Sequence, residues 1–69
     1  MILQVNGETH EFPSSIRTLA DVLLHLELGS ENIMIMVGSD IYKSNFSAVD
    51  VVADSEIEIL QFVGGGSGQ

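Results

Sequence analysis

A single stretch of this 69-residue chain has the apolar spacing of a helix, and extended segments flank it on both sides. Leu19, Val22, Leu23 and Leu26 fall at i, i+3, i+4 and i+7, which makes one stripe, and Leu24 and Leu28 widen it. Thr18 is placed to cap the N-terminus. Asp21, three residues on, completes a capping box and sits in the positive first turn. Gly29 supplies a left-handed stop. The spacing predicts a helix over 18–28. An amphipathic helix of this length has to bury its stripe, and the rest of the chain offers only strands to bury it against.

Met1-Ile2-Leu3-Gln4-Val5 and Glu8-Thr9-His10-Glu11-Phe12 bracket Asn6-Gly7, the pair suited to the two positive φ angles of a type I′ hairpin. Period 2 puts Met1, Leu3 and Val5 on one face, with Phe12 the core residue of the second strand. Pro13, which has no N–H, ends the pairing. Ile33-Met34-Ile35-Met36-Val37 is a continuous apolar run, short enough for a central strand buried on both faces. Met34 and Met36 are then core, the alternative being an adaptable binding surface. Gly38-Ser39-Asp40 turns the chain into Ile41-Tyr42, a brief edge strand. The segment 43–50 is irregular, with Phe46 and Val49 plugging the space beneath it. Val51-Val52 and the turn Ala53-Asp54-Ser55 lead to a last strand, 56–63, in which isoleucines alternate with glutamates. The order predicts an α+β fold: a mixed sheet of four to five strands with one helix packed across one face.

The apolar pattern stops at Val63 and Gly64-Gly65-Gly66 begins. Three glycines offer no side chains to pack and are the costliest residues to order. The division expected is a folded domain over 1–63 and a flexible glycine-rich tail over 64–69. Such a tail either threads a narrow active site in a partner or is a plain linker. The glycines are no phosphate cradle, because no helix follows them to aim N–H groups.

Composition narrows the functions. There is no cysteine, hence no disulfide, thiolate nucleophile or thiolate metal site. His10 and His25 come without companions, and Glu56 and Glu58 form the solvated side of a strand, so no catalytic or metal-binding constellation is expected. No apolar run approaches a membrane span, and a cytoplasmic protein with no membrane association is expected. Ten acidic residues against Arg17 and Lys43 give a formal charge of −8. That balance excludes nucleic acid as a partner and suits a positively charged protein surface. With Ile57 and Ile59 pointing inward, Glu56, Glu58, Leu60 and Phe62 face the other side of the sheet, which has no second helix to cover it. Leu60 and Phe62, bordered by the two glutamates, are the expected partner-binding residues. In the alternative, Phe62 folds back over Phe46 or Tyr42.

Three stretches together carry a resemblance: Leu3-Gln4-Val5-Asn6-Gly7-Glu8, Thr18-Leu19-Ala20-Asp21-Val22-Leu23, and Ile57-Glu58-Ile59-Leu60-Gln61-Phe62-Val63-Gly64-Gly65-Gly66. Over almost its whole length the chain resembles the ThiS-type sulfur carriers of thiamine biosynthesis, ubiquitin-like proteins of the β-grasp fold. The related small subunit of molybdopterin synthase usually has prolines before its glycines, and this chain has none there. The resemblance implies that the protein is no enzyme. An E1-like adenylating enzyme would spend ATP to activate the carboxylate of Gly66, with Gly64 and Gly65 as the threading tail. Sulfur would replace AMP, and thiazole synthase would receive it. The carrier itself would bind no cofactor. One departure stands out. Carriers of this family usually end at the second or third glycine, whereas Ser67-Gly68-Gln69 follow Gly66 here. Either a C-terminal peptidase removes them, or they are an artificial addition, or the chain is a ubiquitin-like interaction module. A molybdopterin-type carrier that needs trimming is a further alternative.

Overall fold

The structure is a computed structural model that describes residues 1–29 and 31–62. The order of elements is β1 (Ile2–Val5), β2 (Glu8–Glu11), α1 (Leu19–His25), β3 (Ile33–Val37), β4 (Asp40–Tyr42), a short 3-10 turn (Phe46–Ala48) and β5 (Glu56–Gln61). The five strands form one sheet in the order β2-β1-β5-β3-β4. β1 and β5 run parallel, and the other neighbours are antiparallel. The last strand therefore lies at the centre of the sheet, between β1 and β3. The sequence expectation of a mixed sheet with one helix across a face is met, with five strands. β5 ends at Gln61, so Phe62, expected within the last strand, lies just beyond it, while Val63, the expected tail over 64–69 and the division between them lie outside the described residues.

The local signals work as their chemistry requires. Asn6 and Gly7 have φ of 53° and 84°, so the hairpin turn has both positive angles. At the start of α1 the Asp21 N–H donates to Thr18 Oγ1 at 3.3 Å, and Asp21 Oδ2 accepts from the Thr18 and Arg17 N–H groups at 3.1 and 3.0 Å. Those backbone donors, Arg17 first and then Thr18, hold the Asp21 carboxyl below its ordinary range.

The helix is shorter than its apolar spacing, and Gly29 does not end it. Leu26 closes the helix and Glu27 takes the left-handed angle, φ 61°. The Glu27 N–H donates to the Leu24 C=O at 3.0 Å and the Leu28 N–H to the Leu23 C=O at 2.8 Å. That pair of bonds is the Schellman ending. It turns Leu28 back toward Leu23 and the core, a gain that offsets the strain of a non-glycine residue at positive φ.

Leu19, Val22 and Leu23 from α1 pack against Leu3, Val5, Phe12, Ile33, Ile35, Ile57 and Ile59 from the sheet side, with Phe46 sealing one end. No polar or charged residue is buried among the described residues. Leu24 departs from the predicted stripe. It is 77% exposed, because a seven-residue helix on a sheet contacts the sheet along one narrow line. β3 departs as well. Ile33 and Ile35 are buried, but Met34 and Met36 are half-buried and lie on the far side of the sheet, which no helix of the described residues covers. Among the described residues, no helix is long and apolar enough to cross a membrane.

Candidate functional site: the open face of the sheet

With α1 on one face, alternation delivers every second strand residue to the other. On β5 the buried Ile57 and Ile59 leave Glu56, Glu58 and Leu60 pointing outward. Across the β3–β5 ladder, Met34 stands opposite Leu60 and Met36 opposite Glu58. Across the β3–β4 ladder, Met36 stands opposite Ile41. An apolar field formed by Leu60, Met34, Met36 and Ile41 therefore spans three strands, and Phe62 follows directly after β5. Phe62 is 55% exposed and Leu60 43%, so Phe62 is not folded away over Phe46 or Tyr42. The Phe62 N–H donates to the Asn32 C=O at 2.7 Å, which keeps this end of the chain against the start of β3.

The same face is acidic toward the start of β5. Glu56 and Glu58 are exposed, and neither has an ion-pair partner among the described residues. Together with Gln4 and Met36 they line a shallow cavity of about 260 Å³. None of the five strands contains a lysine or arginine. The face is apolar near the C-terminal end of β5 and negative near its beginning. That pairing of a partly buried apolar field with a charged margin suits a protein surface of opposite charge.

Sequence reasoning located Leu60, Phe62, Glu56 and Glu58 on one face, and the structure places Leu60, Glu56 and Glu58 together there with Phe62 just beyond. It took Met34 and Met36 as core, with a binding surface as the alternative, and did not place Ile41 on this face. Their signal was present in the alternation of Ile33 and Ile35 with the methionines, but a run that is apolar at every position does not say which half is covered. Gly64, Gly65 and Gly66 lie outside the described residues.

Sequence reasoning also missed the role of Asn6. Beyond shaping the turn, its side chain reaches β5. The Ile59 N–H donates to Asn6 Oδ1 at 2.7 Å, and Asn6 Nδ2 donates to the Ile59 C=O at 3.3 Å. The two histidines, set apart in sequence, flank one aromatic ring: Phe12 lies 6.1 Å from His10 and 5.0 Å from His25, centroid to centroid. That is packing between β2 and α1. No group of three or more histidine, aspartate or glutamate side chains fit to hold a metal occurs among the described residues.

A mixed five-stranded sheet in which β1 and β5 run parallel, with one α-helix on one face among the described residues, defines the ubiquitin-like β-grasp class. The comparisons narrow it. The ThiS family model matches residues 3–66, and the chain belongs to the ThiS family: it is a ThiS-type sulfur carrier. It is similar to the crystal structure of the thiamine biosynthesis protein ThiS from Geobacter metallireducens, with a TM-score of 0.77 and 25% identity over 96% of this chain and 100% of that one. Among curated proteins none matches this chain.

Proposed function

We propose that this protein carries sulfur for thiazole formation in thiamine biosynthesis, as a thiocarboxylate on Gly66. The observation that carries the reading is the family match, which spans both the β-grasp domain and the three glycines and ends at Gly66. A carboxylate is a poor acyl donor. An E1-like adenylating enzyme joins it to AMP at the expense of ATP and releases pyrophosphate. A sulfur nucleophile then displaces AMP. Gly64 and Gly65 pass through a channel that a Cβ would block. The absence of cysteine leaves the C-terminal carboxyl as the place where sulfur can ride. The protein is the substrate of these steps and catalyses none of them.

Docking falls to the open face. Leu60 and Phe62, with Met34 beside them, contact first the activating enzyme and then thiazole synthase, while Glu56 and Glu58 steer a basic surface into place. Docking so near the glycines raises their effective concentration at the partner's active site. Because Ser67 follows Gly66, a C-terminal peptidase must first cleave the bond between them to expose the carboxylate.

The test is ATP–pyrophosphate exchange with the purified E1-like enzyme from the same genome. A chain ending at Gly66 is expected to support exchange and the chain ending at Gln69 is not. The intact mass of the protein from its native cell is expected to end at Gly66, alone or with the increment of sulfur for oxygen. No exchange with either chain, and a native mass that includes Gln69, would leave an interaction module in place of a carrier.

A further inference from the structure

β1 and β5 pair in parallel over a short stretch, Gln4 with Glu56 and Val5 with Ile57. Their ladder includes the Gln4 N–H to the Ser55 C=O and the Asn6 N–H to the Ile57 C=O, both at 2.9 Å. Evenly spaced parallel rungs have an obvious continuation. The Ile59 N–H would go to the carbonyl of residue 6, and the Ile59 C=O would accept from the N–H of residue 8. The hairpin forbids both, since the chain reverses at Asn6-Gly7 and takes residue 8 away to pair with Val5 in the β1–β2 ladder. The Asn6 side-chain amide supplies the two missing partners at once: Oδ1 for the Ile59 N–H and Nδ2 for the Ile59 C=O, at 2.7 and 3.3 Å. An amide side chain has the donor and acceptor of a peptide unit, and asparagine tolerates the left-handed angle this position needs.

We infer that Asn6 is a positioning residue for docking: its side chain prolongs the β1–β5 ladder by one residue and so sets the end of β5 from which Leu60 and Phe62 project. The inference rests on the carrier reading above. Ile59 lies directly before Leu60, and on its β1 side the described structure offers the Asn6 amide where a strand would otherwise be. A side chain 53 residues away in sequence thus ties the first turn of the fold to the segment that meets the partner. Turn formation alone does not ask for this, since glycine satisfies the same φ.

The test separates turn from clamp. Asn6→Gly keeps the positive φ and removes the amide. Asn6→Asp keeps the acceptor for the Ile59 N–H and loses the donor. In the full chain, Asn6→Gly is expected to speed amide exchange at Ile59 about tenfold relative to Ile35, the scale of a lost hydrogen-bond pair. In the form ending at Gly66, its KM as substrate of the purified E1-like enzyme is expected to rise by a similar factor with kcat unchanged, and Asn6→Asp is expected to recover part of the loss. Phe46→Leu, which loosens the core where the 3-10 turn packs on α1 and leaves the Asn6–Ile59 bonds in place, is expected to leave KM alone. Unchanged Ile59 exchange in Asn6→Gly overturns the clamp. An unchanged KM, or an equal rise in Phe46→Leu, overturns its positioning role. If the wild-type chain is not activated at all, the carrier reading and the docking role fall together, and Ile59 exchange alone then decides whether the clamp exists.

Discussion

The two faces of the sheet are built from the same strands and differ in what covers them. Toward α1, Leu3, Val5, Ile35, Ile57 and Ile59 are sealed by Leu19, Val22 and Leu23. On the other side, Leu60, Met34, Met36 and Ile41 come from the same or neighbouring strands and have no layer above them among the described residues. Adjacent residues of one strand thus have opposite tasks: Ile59 holds the domain together, and Leu60 is available to another molecule. The lesson is that a domain with a single helix can invest only one face in stability, and what it leaves open is where recognition can be placed.

The largest expected effect tests that division on the helix, where Leu23 is buried and its neighbour Leu24, about 100° further round, is exposed. Leu23→Ala should lower stability by about 2–5 kcal/mol, because it leaves a cavity in the sealed layer. Leu24→Ala should change it by no more than about 0.5 kcal/mol. Urea denaturation of both variants checks the pair, and similar midpoints would contradict the helix register.

On the open face the readout reverses. Leu60→Ala combined with Phe62→Ala is expected to weaken binding to the E1-like enzyme by about tenfold or more, as for paired hot-spot residues. Its denaturation midpoint should stay close to wild type, since both side chains are exposed and neither belongs to the buried core. Calorimetric affinity equal to wild type, or loss of the folded state, would break the comparison.

A smaller effect sharpens the covered side. Thr18→Ala removes the oxygen that accepts from the Asp21 N–H and should cost about 1 kcal/mol of stability, with no change in partner affinity. Thermal melting beside a binding titration distinguishes the two.

The smallest effect is in pH. Asp21 is held below its ordinary range in the folded protein by the Arg17 and Thr18 N–H groups. A depressed folded-state value means the unfolded chain takes up the proton first as pH falls. The contribution is complete above the ordinary aspartate range and is lost as pH drops through the lowered value. Asp21→Asn should flatten that acid limb of the stability curve, and denaturation midpoints measured across it report the change.

Much of the fold was legible because its signals are local. The hairpin needs positive φ at two adjacent residues, and Asn6-Gly7 advertises it. The capping box is a matter of spacing between Thr18 and Asp21. The alternation in Glu56-Ile57-Glu58-Ile59 states that β5 has one dry side. The candidate site was half legible for the same reason: once Ile57 and Ile59 turn inward, Glu56, Glu58 and Leu60 must turn outward.

What only the tertiary structure decided depends on which element ends up beside which. Met34 and Met36 look like core in a run of five apolar residues, and they become a surface because the seven-residue α1, about 10 Å long, covers the other side. Leu24 continues the helical stripe on paper and is left out because contact with a sheet is narrow. Glu27 takes the left-handed ending ahead of Gly29 because Leu28 has to return to Leu23. The hold of Asn6 on Ile59 joins residues 53 apart. It exists only because β5 inserts between β1 and β3, and periodicity along the chain carries no information about a neighbour that distant.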